Sequence, residues 1–588
     1  MLQGQYSVAS RPKNFRNRSS SVIPAFFASS AIPSSQPPHY IHSLDEIDLK
    51  GYGKTNYIGE DAKAQAEVIA NENIDELPIA QDPRFKDLTA LDFFTVDPKS
   101  KHDIDDALYF ETNNDGSITA YVAIACVAPR IEFGSPLDMH RRDHPMAIFL
   151  PNSAIHTMPS CLYEPVDGAL SLCENKDRLA IVHKFHIPLD CESLDDIDCD
   201  IFPAKIRSRA ALNYGDFLDL LSPLDATDIG ECTLPQSCID GAVEFAYRLD
   251  SLMTGLRFTD TKTSLSFDEG GILSTAQGRR AHLGDQVIEL AALLSAQKST
   301  DIVRNHNDTT PEDPLPFAFR VQAIPDKDDL MESLTELESV FPEAVHASLF
   351  EMLEDTHQWD LDYADTARMV ISDVLMNSPS GMGRDFVSRC LIQATEKARF
   401  SPDEASHFSL NTVTGQVTSP LRRYTDTINQ WAVLKALEYD VGELEMQNDD
   451  FKALCDYVSS EERTASSIQK MSRKRRIIDR IESRGLDCEE PLRIRCITQH
   501  GIILQTGLAS GLLPSNAVPY TWRINRKTQT VTLGENSQST FGIGDVLPVP
   551  ITLGEAKAGD LKLSFKVDSS SLRAPHSGLN AANDRKPC

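Results

Sequence analysis

The stretch DFFTVDPKSKHDIDDALYF, residues 92–110, sets Asp97, Asp103, Asp105 and Asp106 close together beside a short apolar run. Like charges that near repel, and a fold gains little from crowding them unless something positive lies between them. The flanks are β-prone. LTALDFFTV runs into Asp97, and DALYFETNNDGSITAYVAIACV reads as two strands joined by an Asn-Asn-Asp-Gly turn. The aspartates therefore fall at the end of one strand and in the loop entering the next, a place where strands anchor chemistry-bearing loops.

Hard cations such as Mg²⁺ take carboxylate and phosphate oxygens, and two such ions can drive an in-line phosphoryl displacement. A solvated acidic turn fits the spacing equally well in a chain with 87 Asp and Glu. A calcium loop does not fit. Counted from Asp97, the positions that need Gly and Glu hold His102 and Leu108.

A second stretch, HFSLNTVTGQVTSPLRRYTDTINQW (407–431), carries Arg422 and Arg423 after a Ser-Pro turn at the start of a helix. Guanidinium forks match phosphate oxygens, and helix N-termini favour anions. Taken alone, the two arginines are ordinary surface ion-pair formers. Together, metal-holding carboxylates and a phosphate-binding arginine pair are the two halves of a phosphodiester hydrolase.

At 588 residues the chain should hold two or more domains. With 41% hydrophobic and 24% charged residues it has a globular composition, and no apolar run is long enough for a bilayer. The net charge of −30 argues against diffuse attraction to nucleic acid or anionic membrane, but leaves room for a local basic channel. Twelve cysteines without a C-x-x-C pair give neither a zinc site nor a disulfide framework, which fits a reducing cytoplasm.

Coarse periodicity divides the chain further. Residues 1–44 read as a basic, Ser-rich disordered tail, with an organellar targeting segment as the alternative. A helical lead-in follows over 45–88. Residues 89–440 mix strands with helices, among them GDQVIELAALLSAQKSTDIV and TDTINQWAVLKALEYD. A charged helical connector spans 441–486, and its basic run KMSRKRRIIDR (470–480) reads as a solvated helix face. Short strands over 487–570 suggest an OB-type barrel, and 571–588 is a polar tail.

DLTALDFFTVDPKSKHDIDDALYF resembles the opening signature of the ribonuclease II (RNB) family of exoribonucleases, and HFSLNTVTGQVTSPLRRYTD its later one. GSPLDMHRRDHPMAIFLP, MPSCLYEPVDGALSLCENKDRLA and AFRVQAIPD match weaker blocks in the same order. The resemblance implies a mixed α/β catalytic domain with a central sheet and surrounding helices, followed by an S1-type OB barrel. It implies hydrolysis of single-stranded RNA from the 3′ end to 5′-nucleoside monophosphates, with Mg²⁺ required and Mn²⁺ as the alternative ion.

Carried over by position, Asp97, Asp103, Asp105 and Asp106 would hold metal, with Asp105, Asp106 and Arg422 catalytic. Phe149, Arg422 and Arg423 would contact RNA, Phe149 by stacking on bases near the 3′ end. A monomer that binds RNA less tightly as salt rises is expected.

Three departures qualify this. About 90 residues precede Asp97, which leaves little room for the family's cold-shock barrels. A weaker grip, or a partner protein supplying those domains, is then expected. Cys126 and Gln322 stand where the family usually has Asp and His, which implies altered tuning. The rival reading is a non-catalytic RNA-binding protein with the same fold.

Overall fold

The computed structural model describes residues 43–98, 103–151, 153–221, 234–256, 258, 261–267, 273–280, 283–357, 362–444, 446–485, 491–507, 509–519, 521–533 and 539–568. Of the expected tails, residues 1–42 and 571–588 lie outside them, while Ser43 and Leu44, the last two residues of the first, open a helix. Among the described residues no helix is long and apolar enough to cross a membrane.

Five strands close into a barrel: β1 (Phe93–Val96), β2 (Asp106–Thr112), β3 (Ile118–Ala125), β4 (Asp177–Ile187) and β5 (Asp198–Leu212). Their order is β5-β1-β2-β3-β4, and β4 pairs back onto β5. The β2–β3 hairpin is the one the Asn-Asn-Asp-Gly turn predicts, with Asp106 opposite Ile124. Strands β4 and β5, the longest in the barrel, escaped the sequence reading. Strand β4 is buried on both faces over much of its length, so clean two-residue alternation is absent there, whereas β5 is buried on both faces only over Ile201–Ala204 and alternates from Ala204 to Ala210.

Two apolar clusters sit on opposite faces of the barrel wall. Phe94, Leu108, Phe110, Val122 and Ile124 pack on helices Gln236–Leu252 and Leu283–Thr309. Phe93, Ala107, Ala123, Ala125, Ala180 and Ala204 share the other side with helix Glu60–Ala70 and with Leu421. Strict alternation along each strand thus serves two cores at once.

Helix Tyr424–Ala436 is buried along almost its whole length, and its polar residues are spent on backbone. Asn429 accepts from Ala318 N–H (2.7 Å) and donates to the carbonyls of Ala318 (3.0 Å) and Gln416 (2.9 Å). Gln430 accepts from Val127 N–H (3.1 Å) and donates to Ala125 O (2.8 Å), which stitches the helix to the end of β3. Buried amides satisfied at both ends fix a helix in one register.

The C-terminal module has strands β6 (Arg493–Thr498), β7 (Gly501–Thr506), β8 (Ala509–Pro514), β9 (Ile551–Lys557) and β10 (Lys562–Val567), in the order β6-β7-β8-β10-β9. Five strands in a partly open sheet suit an OB-type module. Its core also takes Ile478 and Ile481 from helix Asn448–Arg484, so the connector ends inside the module.

The basic run of that helix meets the expectation of a solvated face at Lys470, Arg473 and Lys474, which are exposed, and departs from it at the next two residues. Arg475 and Arg476 are only 4% and 1% exposed. Arg475 bonds both oxygens of Asp48 (3.0 and 2.7 Å) and Ala558 O (2.6 Å), while Arg476 lies 3.9 Å from Asp45. The aspartates come from helix Ser43–Gly51, so these ion pairs fasten the lead-in to the connector and the module. Removing one partner of a buried pair strands the other. Arg475→Ala is therefore expected to cost about 3 kcal/mol or more, read as a lowered midpoint in urea unfolding.

Two buried histidines and the half-buried His140 give stability a pH dependence. Burial pushes His140 down to about 3, helped by His144 and Arg141. Burial also lowers His183 to about 4, and it lowers His407 to about 4 with Arg320 adding to the effect. Unfolded histidines titrate near 6.5 and so bind more protons than the folded ones below that pH. Stability should then fall as pH drops from about 6.5 toward 4, with thermal midpoints lower at pH 5.5 than at pH 7.5.

Candidate active site

The acidic residues cluster at one end of the barrel. Asp97 follows β1 and donates its N–H to Leu212 O at the end of β5 (2.9 Å). Asp103 and Asp105 lead into β2, and Asp106 is its first residue. Between Asp103 and Asp105, Ile104 is buried, with its N–H on Ser171 Oγ (3.0 Å) and its carbonyl accepting from Leu172 N–H (3.0 Å). That anchor holds two essentially buried carboxylates on either side of it. Residues 99–102 lie outside the described residues.

Arg422 reaches this loop from 317 positions away. Its Nε lies 3.3 Å from Asp105 Oδ2, and Leu421 N–H donates to Asp105 Oδ1 (2.9 Å). Ser419 Oγ accepts from Nη2 (2.8 Å). Asp105 is 1% exposed whereas the Arg422 side chain is 38% exposed, so the arginine neutralises a buried carboxylate and still presents guanidinium surface outward. Burial works against the charge on Arg422, but Asp105, Asp103, Asp426 and Asp106 outweigh it and hold the group protonated.

The route that brings Arg422 there is a continuous bonding path. Ala125 N–H donates to Asp105 O (2.8 Å), and Gln430 of the buried helix grips Ala125 O. Arg422 therefore sits just ahead of a helix tied to the strand beside the acidic loop.

Arg423 is turned away. It bonds Asp426 (2.7 Å), which also accepts from Ser419 N–H (2.8 Å), and so it braces the helix start without joining the acidic cluster. Phe149 lies in the short strand Ile148–Phe149, next to the Arg422 turn: Ala147 N–H donates to Arg422 O (2.9 Å) and Tyr424 N–H to Pro145 O (2.9 Å). Its ring meets His156 edge-on (5.9 Å), and His156 stacks on Tyr163 (3.6 Å). The Tyr163 hydroxyl is pushed up by burial, then by Glu164 and Asp103, which places this aromatic row beside the acidic loop.

Several residues that the sequence reading left without a role support the turn. Arg141, fully buried, donates to Thr427 Oγ1 (3.0 Å) and Pro420 O (2.6 Å). Asp138 accepts from Tyr424 OH (2.7 Å) and pairs with Arg142 (2.7 Å). Both belong to helix Pro136–Asp143, started by a Ser135 cap with Pro at its first position. That Gly-Ser-Pro start was legible. The burial of its arginines was not.

The two departures prove structural. Gln322 donates to Glu396 O (2.8 Å) and accepts from Ser409 N–H (2.9 Å), clamping two segments together. Cys126 is buried among apolar residues, and burial pushes its thiol up, away from any thiolate chemistry.

The donor set suits a hard divalent cation. Among the described residues, no three His, Cys, Asp or Glu side chains converge into a ready-made metal cage. Mg²⁺ needs no such cage, since it is usually held by one or two carboxylates, with water and substrate phosphate oxygens completing its shell. Buried Asp103 and Asp105 are oxygen donors of that kind, with Asp97 and Asp106 at the margins. A group of carboxylates with an outward-facing guanidinium has the chemistry to hold a cation and a phosphate oxygen side by side.

The comparisons agree with this class. Residues 85–439 match the RNB domain, and the chain belongs to the RNB-domain family. Ribonuclease R of Helicobacter pylori strain J99 is 26% identical over 337 residues, which are 57% of this chain and 46% of that protein. The match thus spans about half of that relative's length. The structure of Mycoplasma genitalium RNase R in complex with ribose-methylated single-stranded RNA superposes with a TM-score of 0.70 at 19% identity, covering 90% of this chain and 78% of that one. Yeast Ssd1, a pseudonuclease, superposes at 0.59 with 14% identity, covering 84% and 58%. At these identities the two superpositions establish the fold alone.

Proposed function

We propose that this chain is an Mg²⁺-dependent 3′→5′ exoribonuclease of the ribonuclease II family that hydrolyses single-stranded RNA to 5′-nucleoside monophosphates. The observation that carries this is the contact between Arg422 and Asp105. It assembles carboxylates and a phosphate-seeking guanidinium from opposite ends of the domain, with the arginine still half open to solvent.

Each group has a part that its surroundings allow. Asp103 and Asp105, with Asp97 and Asp106, hold the divalent ions. Bound there, Mg²⁺ supplies a water of lowered pKa and offsets charge on the departing oxygen. Arg422 grips the scissile phosphate and stabilises its developing charge, preorganised by Asp105 and Ser419 so that little reorganisation is needed. Phe149 offers a ring face to a base near the 3′ end, which every base can use. The 2′-OH is the group by which RNA is told from DNA. The C-terminal module, read as S1-type, adds RNA-binding surface.

The test is incubation of the full chain with a 5′-labelled oligoribonucleotide and with a DNA of the same sequence, in Mg²⁺ or in EDTA. Progressive shortening of the RNA in Mg²⁺ alone is expected. Binding without shortening under every condition would establish the non-catalytic reading instead.

A further inference from the structure

In the C-terminal module a β-bulge aims an arginine at the catalytic body. Strands β6 and β7 pair in step except between Ile494 and Cys496, where Arg495 is the extra residue. Bulges bend a strand and re-aim the inserted side chain. Ile494 stays in the module's core, while Cys496 packs on the apolar cluster that contains Cys390 of helix Met382–Ala394. Arg495 thus comes up beside that helix, where Arg389 precedes Cys390.

The two cations are close enough to oppose each other. Burial, and then the charge of Arg389, disfavours the charge on Arg495, while the field of Asp385 on the same helix offsets this only weakly. Arg495 donates to Ser510 Oγ (3.1 Å). Arg389 donates to Asp385 O (3.3 Å), and its guanidinium lies 5.6 Å from the Phe386 ring. Among the described residues neither arginine has an ion pair. Four other largely buried arginines do: Arg130 holds Glu72, Arg142 Asp138, Arg320 Glu462 and Arg475 Asp48, whereas Arg141 is held by Thr427 Oγ1 and Pro420 O. In a chain of net charge −30, two half-buried cations of like sign set side by side without a carboxylate partner stand apart from those four pairs. Bringing like charges together costs free energy that a bound anion would recover.

We propose that Arg389 and Arg495 form a clamp for the phosphate backbone of single-stranded RNA at the seam between the catalytic body and the C-terminal module. Guanidinium forks suit phosphate oxygens, and such a contact positions a strand without reading its bases. The clamp extends the exoribonuclease reading by giving the strand a second hold, but binding there does not require hydrolysis.

Affinity of the full chain for a labelled oligoribonucleotide, measured by fluorescence anisotropy in EDTA over a salt series, tests it. Arg389→Gln and Arg495→Gln should each weaken binding roughly three- to tenfold at low salt and make the log–log salt slope shallower by about 1. Arg389→Lys and Arg495→Lys should restore the slope, which separates lost charge from lost packing. Inorganic phosphate at the same ionic strength should not compete. Unchanged affinity and slope in both Gln variants, or full competition by phosphate, would overturn the clamp. Altered slopes in a chain that never shortens RNA would uphold the clamp and remove the nuclease reading.

Discussion

Asp105→Asn is expected to lower the rate of RNA shortening by roughly 10³-fold or more while leaving the fold and RNA binding in place, because on the proposed function several kcal/mol of transition-state charge stabilisation depend on carboxylates that hold metal. Asparagine keeps the size of the side chain and one oxygen for the Leu421 N–H that now bonds Asp105. It removes the charge shared with Arg422 and one of the carboxylates proposed to hold the ion. It also removes one member of a repelling group, so the stability lost with the ion pair is partly offset. RNA affinity should be equal or tighter, since one negative charge leaves the phosphate's path. Single-turnover rates and a binding isotherm on the same preparation check both halves. A variant that binds no RNA would mean that Asp105 matters for structure instead of chemistry.

The second large effect is at Arg422. Arg422→Ala should slow the single-turnover step about 10²- to 10³-fold, the usual consequence of removing one preorganised donor from developing charge. A second readout follows from burial. Asp105 is 1% exposed and Arg422 is its ion-pair partner, so without the guanidinium its carboxyl should ionise at higher pH. The acid limb of the residual activity should therefore move upward. Arg422→Lys should keep that limb close to its original position but recover only part of the rate, because an ammonium lacks the fork that engages Asp105, Ser419 and phosphate together.

What could be read in advance divides by distance along the chain. Asp97 to Asp106 were legible because the pattern and its flanking strands are local. So were the β2–β3 turn and the main helices, whose periods stand out. That Arg422 belongs with them was legible only through the order of family blocks, since no spacing rule spans 317 residues. Where Arg423 lies was not legible by the same logic. Two adjacent arginines look alike in sequence, yet at a helix start they point in different directions, and Asp426, three residues on, captures one of them.

Arg475 and Arg476 show the converse. A basic stripe normally faces water, and nothing near it reveals that Asp45 and Asp48 on a distant helix will bury these two of its arginines. The brace of Asp138, Arg141 and Tyr424 was hidden for the same reason: its members look like surface charge until the helix carrying them is packed.

The central claim is that the acidic loop and Arg422 act as one unit on phosphate, and a double-mutant cycle on single-turnover RNA shortening tests it most directly. With Asp105→Asn, Arg422→Ala and the combination compared with the parent chain, residues acting as a unit give a double variant scarcely slower than the slower single one. Losses that simply multiply would contradict it, showing two groups that touch in the fold but work apart.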